Sequence, residues 1–329
     1  MRLVHCAAAL AVLAAAPAAA DYPTRALQGV IMWGAGGATD TVSRAIQPHA
    51  EAALGRDIVM TNRSGGTGAI ATRYVQAQRA DGYTLLFGAE NPQLHKVLGL
   101  ADIDYDDFYP VNILARGVAI VVTTADAPWQ SFGELVAEAQ ADPGAIRMGA
   151  TGPGGLPHVV GSMLASGVEF PVTAVPYDGE GPALTAMLGG AVDFMPVGLS
   201  AAAEHIRAGR VRPLAVVDTA EVDLLPGVPP ITAEFPVFED YLPWGPFYGV
   251  FVRRDTPEAI TATLVEAFHG AASVAEFEEL MEARGNVMMN LTGDEADAFL
   301  DRWRSVTSWI MYDAGAAQVS PDSVGIARP

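Results

Sequence analysis

The stretch that decides the fold is GAGGATD, residues 34–40, which follows an apolar run at 30–33 and precedes a helical pattern from about Thr39 to Leu54. Two further apolar runs, at 58–60 and 84–87, lead into the turns NRSGGTG and GAENPQ. Strands that alternate with turns and helices predict a doubly wound α/β sheet with ligands at the carboxyl ends of its strands. Trp33 ends the first predicted strand, where its ring either faces a ligand or packs in the core.

The alternation continues beyond about residue 117 as a second unit. Its strands lead into GATGPGG (149–155), DGEGPA (178–183) and PVGLSAA (196–202). A proline-rich segment near 225–246 is expected to cross back, and after it we expect one strand at 249–252 and then mainly helices, without the strand and helix alternation of a third sheet. We therefore predict two domains, the first built from 21–118 plus 246–329 and the second from 119–245.

The first twenty residues have the layout of a signal peptide. Arg2 precedes an apolar run at 6–16, then Pro17 and three alanines, and the run is too short to span a bilayer. We expect cleavage after Ala20 and a periplasmic mature protein. Cleavage removes Cys6, the only cysteine, which excludes disulfides and thiolate catalysis from the mature chain.

The net charge of the chain excludes some classes of binding partner. The chain carries 38 acidic and 19 basic residues, for a net charge of −19, and Lys96 is its only lysine. Such a surface repels nucleic acid and anionic membranes, so neither is an expected partner. It also repels small anions at long range, so an anion site must be built from local donors.

The motifs of common enzymes and metal sites are missing from the sequence. GAGGATD lacks the lysine and hydroxyl residue of a P-loop, and Thr39 stands where a dinucleotide fingerprint needs its third glycine. No G-x-S-x-G elbow or H-E-x-x-H pair occurs, and the acidic stretch at 102–107 lacks the glycine and glutamate of a calcium loop. We predict no cofactor, no metal and no catalytic residue.

The glycine-rich turns share one physical property, because each presents free backbone N–H groups at a helix N-terminus, where the helix dipole also favours an anion. A single such turn is more often only a turn. Two such turns, GAGGATD and GAENP, lie in the first unit and three, GATGPGG, DGEGPA and PVGLSAA, lie in the second, so that two sets would face each other across a cleft. Convergent N–H groups predict a carboxylate site that needs no arginine.

The order of the motifs YPTRAL, GAGGATD, NRSGGTGAIA, YDDFYPV, GATGPGG and VPYDGEGPALTAMLGG resembles the periplasmic substrate-binding receptors of tripartite tricarboxylate transporters, often called Bug proteins. The resemblance runs from about Tyr22 to Ala314. It implies a type II-like periplasmic-binding-protein fold, in which two α/β domains, each a mixed or parallel sheet flanked by helices, close like a flytrap on a carboxylated metabolite.

The resemblance implies most of a predicted set of ligand-binding positions, to which we add Trp33, Glu90, Asn91 and Gly198 from this sequence. The first-domain side would comprise Trp33, Gly36, Gly37, Thr39, Asp40, Glu90 and Asn91. The second-domain side would comprise Thr151, Gly152, Gly155, His158, Tyr177, Gly179, Pro182 and Gly198.

Three carboxylates depart from the family pattern. Asp178 and Glu180 stand where a Lys-Gly pair is common, and Glu90 is an addition. They would repel a multiply charged ligand if they faced it. A dicarboxylate or tricarboxylate, an aromatic acid and an acidic amino acid stay open as ligands, and the carboxylates favour one with an amino group, an amide or an aromatic ring.

We therefore predict a monomeric receptor, not an enzyme, that delivers its ligand to membrane permease subunits. Two alternatives stay open. A periplasmic hydrolase or lyase acting on a carboxylated metabolite would need the catalytic motifs that the sequence lacks. A sensor subunit that closes in the same way but docks onto a signalling protein is indistinguishable from a transport receptor by sequence.

Overall fold

Two β-sheets organise the protein in the computed structural model, which describes residues 22–329. The predicted signal peptide lies outside the described residues. In chain order the strands are β1 (Leu27–Ile31), β2 (Ile58–Asn62), β3 (Thr84–Ala89), β4 (Phe108–Gly117), β5 (Ala119–Thr124), β6 (Arg147–Thr151), β7 (Thr173–Tyr177), β8 (Phe194–Gly198), β9 (Val211–Val216), β10 (Phe247–Arg253) and β11 (Asn286–Leu291).

Helices connect most of these strands and cover both sheets. They are α1 (Ala38–Leu54), α2 (Ala69–Gln76), α3 (Phe132–Ala141), α4 (Leu156–Gly167), α5 (Glu180–Leu188), α6 (Leu199–Arg207), the single turn α7 (Ile231–Glu234), α8 (Glu258–Ala272), α9 (Ala275–Ala283) and α10 (Gly293–Asp313). None of the helices within residues 22–329 combines the length and the apolarity that crossing a membrane requires.

The two sheets repeat one plan. The first sheet has the order β11-β4-β10-β3-β1-β2, and the second has the order β7-β6-β8-β5-β9. In each, a parallel trio is extended by an antiparallel strand, which is β10 in the first sheet and β5 in the second. The predicted α/β architecture of two sheets flanked by helices is thereby confirmed, and both sheets are mixed.

This plan places equivalent loops at equivalent sheet edges. The β1–α1 turn of the first sheet corresponds to the β6–α4 turn of the second, because both follow the central strand of a parallel trio. The central strands are covered on both faces, with Val30, Ile31 and Ala150 buried. A continuous apolar strand followed by a glycine turn is the sequence signal of this arrangement.

Residues 286–291 correct the expectation of a single strand after the proline-rich segment. They form β11, an antiparallel edge strand beside β4. Its signal is weak because Val287 is exposed, Asn290 has a left-handed φ of 47°, and the register shifts between Met288 and Leu291. A strand covered on one side and interrupted by a bulge shows neither a continuous apolar run nor a clean alternation.

The ends of two other predicted segments also differ. β1 ends at Ile31, so Trp33 lies in the loop beyond the strand. Much of the proline-rich segment near 225–246 packs against the second sheet's helices, as the rings of Phe235 and Phe132, 5.5 Å apart, show. The domain boundaries at 118 and 246 remain predictions.

The chain passes between the sheets twice, and the two passages are bonded side by side. The N–H of Gly117 donates to the carbonyl of Pro246 at 2.7 Å, and the N–H of Val217 donates to the carbonyl of Ala119 at 2.9 Å. The guanidinium of Arg116 lies 3.4 Å from the carboxylate of Asp218. The two passages therefore form one paired connection between the sheets.

Candidate functional site

A cavity of about 740 Å³ lies between the loops of the two sheets. This volume suits a small metabolite. Its walls come from the β1–α1 turn, the end of β3, the turns before α4 and α5, part of α6, and the start of β10. Nine of the predicted positions line it: Trp33, Gly36, Gly37, Thr39, Glu90, Thr151, Gly155, Gly179 and Pro182.

The N-termini of three helices reach this cavity, and each begins after a glycine. Gly37, Gly155 and Gly179 are the N-cap residues of α1, α4 and α5, and none of them makes a side-chain cap. The first N–H groups of a helix have no acceptor within the helix. In α1 the N–H groups that a serine or aspartate cap would occupy are therefore left for a ligand or for water. Fewer are left in the other two helices, because Pro157 and Pro182 have no N–H and the N–H of His158 donates to the carbonyl of Gly155 at 2.9 Å.

Asp40 stabilises the β1–α1 turn through hydrogen bonds on the side away from the cavity. Its carboxylate accepts hydrogen bonds from the Gly36 N–H at 2.9 Å, from Asn62 at 2.8 Å and from Arg44 at 2.9 Å. Burial disfavours its ionised form, but these donors outweigh burial and hold the pKa of Asp40 below its ordinary value. Asp40 does not line the cavity, so its role is to fix the loop.

Thr151 provides a hydroxyl on the opposite wall. Its side chain is buried, and its Oγ1 has no hydrogen-bond partner in the described chain. A side chain at Gly155 would overlap that hydroxyl, so the glycine makes room for the close approach of Thr151 to the start of α4. A buried hydroxyl without a partner is costly unless a ligand or water completes it.

The turn before α5 contributes carboxyl groups as well as N–H groups. Gly179 has a φ of 118°, which L-residues rarely adopt, and so it permits the turn. Asp178 and Glu180 flank it and line the cavity, and Glu180 accepts a hydrogen bond from the N–H of Gly198 at 3.1 Å. Burial raises the pKa of Glu180 to about 7, against the effect of that hydrogen bond.

Glu90 lies at the end of β3 and is almost completely buried, with 4% of its surface exposed. One carboxyl oxygen accepts a hydrogen bond from Asn91 at 3.2 Å, whereas Oε2 has no partner. Burial first, and in addition the charge of Glu180, raise the pKa of Glu90 to about 8. At neutral pH this carboxyl is therefore largely protonated when the cavity holds no ligand.

Asn91 connects the loops of the two sheets. Its Oδ1 accepts a hydrogen bond from the indole N–H of Trp33 at 3.0 Å, and its amide donates to the carbonyl of Gly154 at 2.6 Å. Every polar atom of this amide is thus used inside the protein. Asn91 does not line the cavity, whereas Trp33 is half-buried in its wall.

The other predicted positions lie behind the cavity wall. Nδ1 of His158 accepts a hydrogen bond from the Gly154 N–H at 2.9 Å, and burial lowers the pKa of His158, so it acts as a neutral support of the turn. Gly152 faces Thr67, since a Cβ at position 152 would lie 3.6 Å from the hydroxyl of that residue. Tyr177 ends β7, and Gly198 caps α6 and donates to Glu180.

Sequence reasoning missed several wall residues. Pro246 and Tyr248 come from the start of β10, and Leu184, Ala201 and His205 come from the outer turns of α5 and α6. Except for Ala201, which lies in the PVGLSAA turn after β8, none of them closely follows a strand in the chain, so the rule that sites lie at strand ends does not find them. Only the repeated glycine turns carried a readable signal. Within the described residues, no cluster of three His, Cys, Asp or Glu side chains could hold a metal ion.

Comparison with known proteins agrees with this architecture. BugT of Bordetella pertussis is 29% identical over 302 residues, which cover 89% of this chain and 91% of that protein. The solved structure of R. palustris Rpa4515 with adipate superposes with a TM-score of 0.83 at 27% identity, over 90% of this chain and 99% of the other. The periplasmic binding protein BugD has the same fold, with a TM-score of 0.83 at 24% identity over 90% and 99% of the two chains.

A family model covers most of the chain. The tripartite tricarboxylate transporter family receptor, TctC, matches residues 42–301, which include the glycine-capped turns before α4 and α5 and the strand β10. The family consists of solute-binding receptors, not of enzymes. The two-sheet plan, the cavity between the sheets and this match lead to one conclusion: the chain belongs to the TctC family of tripartite tricarboxylate transporter receptors.

Proposed function

We propose that this receptor captures a small carboxylated metabolite in the cavity between its two sheets and delivers it to the membrane permease of a tripartite transporter. It would be exported, cleaved after Ala20, and act in the periplasm as a monomer. The observation that carries the proposal is the convergence of the N-termini of α1, α4 and α5, each capped only by glycine, on one cavity.

Helix N-termini suit this task because they bind an anion without a fixed counter-charge. None of the residues that line the cavity in the described chain is a lysine or an arginine. A carboxylate would therefore be held by backbone N–H groups and the Thr151 hydroxyl. R. palustris Rpa4515, which is similar to this chain, was solved with the dicarboxylate adipate, and this supports a carboxylate as the ligand class.

Thermal unfolding with a ligand panel tests the proposal. The panel contains monocarboxylates, dicarboxylates, aromatic acids, amino acids and a neutral sugar. A ligand at about 100 times its Kd should stabilise the receptor by about 2.7 kcal/mol. A stabilising sugar and an ineffective set of carboxylates would contradict the proposal.

A matched pair of substitutions on α6 shows whether the ligand occupies this cavity. Ala201 lines the cavity, and Ala203, two residues later on the same helix, does not. We expect Ala201→Phe to abolish the stabilisation by any ligand that the panel finds, because the ring fills part of the cavity. Ala203→Phe should retain it, and equal loss in both variants would place the ligand elsewhere.

A further inference from the structure

The wall of the cavity is chemically two-sided. Helix N-termini and the Thr151 hydroxyl offer donors, whereas Glu90, Asp178 and Glu180 offer three carboxyl groups. His205 is the only side chain in the described wall that could carry a positive charge, and burial first, with the charge of Arg210 second, lowers its pKa. The acidic part of the wall therefore has no protein counter-charge.

Glu90 is the decisive member of this acidic part. It lies at the cavity wall, more than nine-tenths buried, and its Oε2 has no hydrogen-bond partner within the described chain. Its other oxygen accepts from Asn91, and Asn91 is fixed by Trp33 and Gly154. An acceptor held in place, shielded from water and without a donor is an incomplete site.

Glu180 approaches the same region from the other sheet. It begins α5, and its Oε1 is held by the N–H of Gly198. Its charge raises the pKa of both Glu90 and Tyr248, which shows that the three groups share one region of the cavity. The titratable groups that face Glu90 or line the same cavity are Tyr105, Asp178, Glu180, His205 and Tyr248.

Two carboxyl groups that approach from opposite walls, with no basic side chain beside them in the described wall other than His205, are complementary in their ionised form to a positively charged ligand group. We propose that Glu90 and Glu180 bind a protonated amino group, so that the receptor selects carboxylates that also carry an amine over those that do not. This inference rests on the proposed function, since it assigns the second half of the same ligand. The helix N-termini bind the carboxylate, and the two glutamates bind the ammonium group.

Matched ligand pairs test the inference by calorimetry at pH 8. Each pair differs by one amino group: glutamate and glutarate, 4-aminobutyrate and butyrate, phenylalanine and 3-phenylpropionate. In at least one pair we expect the amine to bind more than about tenfold more tightly than its partner, because a buried charge pair is formed. Equal or weaker binding of the amine in every pair that binds would overturn the inference and leave the proposed function standing. If no carboxylate in the panel binds, both fail.

The direction in which ligand affinity changes with pH shows whether Glu90 binds an ammonium group as an ionised carboxylate or a carboxylate as a protonated donor. A protonated Glu90 could instead donate its O–H to a ligand carboxylate. With an ammonium ligand, affinity should increase several-fold from pH 6 to pH 8.5 as Glu90 and Glu180 ionise. Affinity that falls over this range would show that Glu90 acts as a donor and would overturn the inference.

A variant that lacks the ionisable group of Glu90 provides the last test. Glu90→Gln keeps the shape and the hydrogen-bonding capacity of the side chain but cannot ionise, so it should lose the preference for the amine and most of the pH dependence. Glu279→Gln removes a charge from the exposed face of α9 and should change neither. A Glu90→Gln variant that folds and still prefers the amine to the same extent would contradict the role of Glu90.

Discussion

The side-chain amide of Asn91 donates a hydrogen bond of 2.6 Å to the carbonyl of Gly154, and this bond joins a loop of the first sheet to a loop of the second. Asn91 also accepts from the indole of Trp33, at 3.0 Å. This buried amide is thus one of the contacts that set the relative position of the two cavity walls, beside the packing of α10 against α4. Its removal should affect both stability and the spacing of the sheets.

Asn91→Ala should reduce the free energy of unfolding by about 1–3 kcal/mol, because it leaves buried polar groups without partners. It should also increase the radius of gyration of the ligand-free receptor in small-angle X-ray scattering. The control is Gln93→Ala, since Gln93 is a buried amide that donates to Leu300 within the part of the chain built on the first sheet. An equal increase in both variants would show that Asn91 is not specific to the spacing of the walls.

Substitutions of two glycines should separate the cavity wall from the turn behind it. Gly37 lines the cavity, has an ordinary φ of −76°, and would place a Cβ no closer than 3.5 Å to its neighbours. Gly37→Val should therefore fold, with a loss of about 1 kcal/mol for the changed cap, yet lose ligand binding. Gly152→Val should bind normally, because Gly152 does not line the cavity. Calorimetry with any ligand from the panel checks both, and normal binding by Gly37→Val would contradict the anion site.

The pH dependence of Asp40 follows from its hydrogen bonds. A carboxylate whose pKa is lower in the folded state adds stability above its unfolded pKa of about 3.9, and this stability is lost as the pH falls through the folded value. Asp40→Asn should therefore be less stable than the wild type by about 1–3 kcal/mol at pH 7, and the difference should shrink below about pH 4. Urea unfolding at several pH values measures it, and a difference independent of pH would contradict the assignment.

For Glu90 we predict the opposite pH dependence of folding stability. Its pKa is raised from 4.5 to about 8 in the folded protein, so its contribution is intact below about pH 4.5 and stability is lost as the pH rises towards 8. Between pH 5 and pH 8 the ligand-free wild type should lose on the order of 2–4 kcal/mol relative to Glu90→Gln. Urea unfolding of both proteins at the two pH values gives the change, and Glu279→Gln should run parallel to the wild type.

Trp33 should report ligand binding by fluorescence. Its indole is half-buried in the cavity wall, whereas Trp129, Trp244, Trp303 and Trp309 do not line the cavity. We expect a ligand from the panel to change the emission of the wild type but not that of Trp33→Phe. A change that persists undiminished in Trp33→Phe, together with unaltered affinity in Trp33→Ala, would remove Trp33 from the site.

Sequence reasoning located the turns of this site better than the roles of their residues. Apolar strands followed by glycines showed which turns meet at the sheet edges, since that depends on chain order alone. It could not show that the side chains of Asp40 and His158 bond to the preceding loops, because their neighbours Thr39 and Pro157, in the same helical turns, line the cavity instead. It also could not place Tyr248 in the cavity wall. Tyr248 belongs to β10, which pairs with β3 of the first sheet but follows all the strands of the second sheet in the chain.

The proposed ammonium site at Glu90 would make ligand capture an exchange of one cation for another. Below pH 8 the empty cavity holds a proton on this group. An ammonium group that binds next to Glu90 releases that proton to the solvent. The net charge within the cavity therefore stays nearly constant, because one cation replaces another. The heat of binding will then depend on the ionisation enthalpy of the buffer, and the slope of that dependence counts the protons released. A receptor of this kind gives up a proton when it accepts its ligand and takes one back when it hands the ligand on.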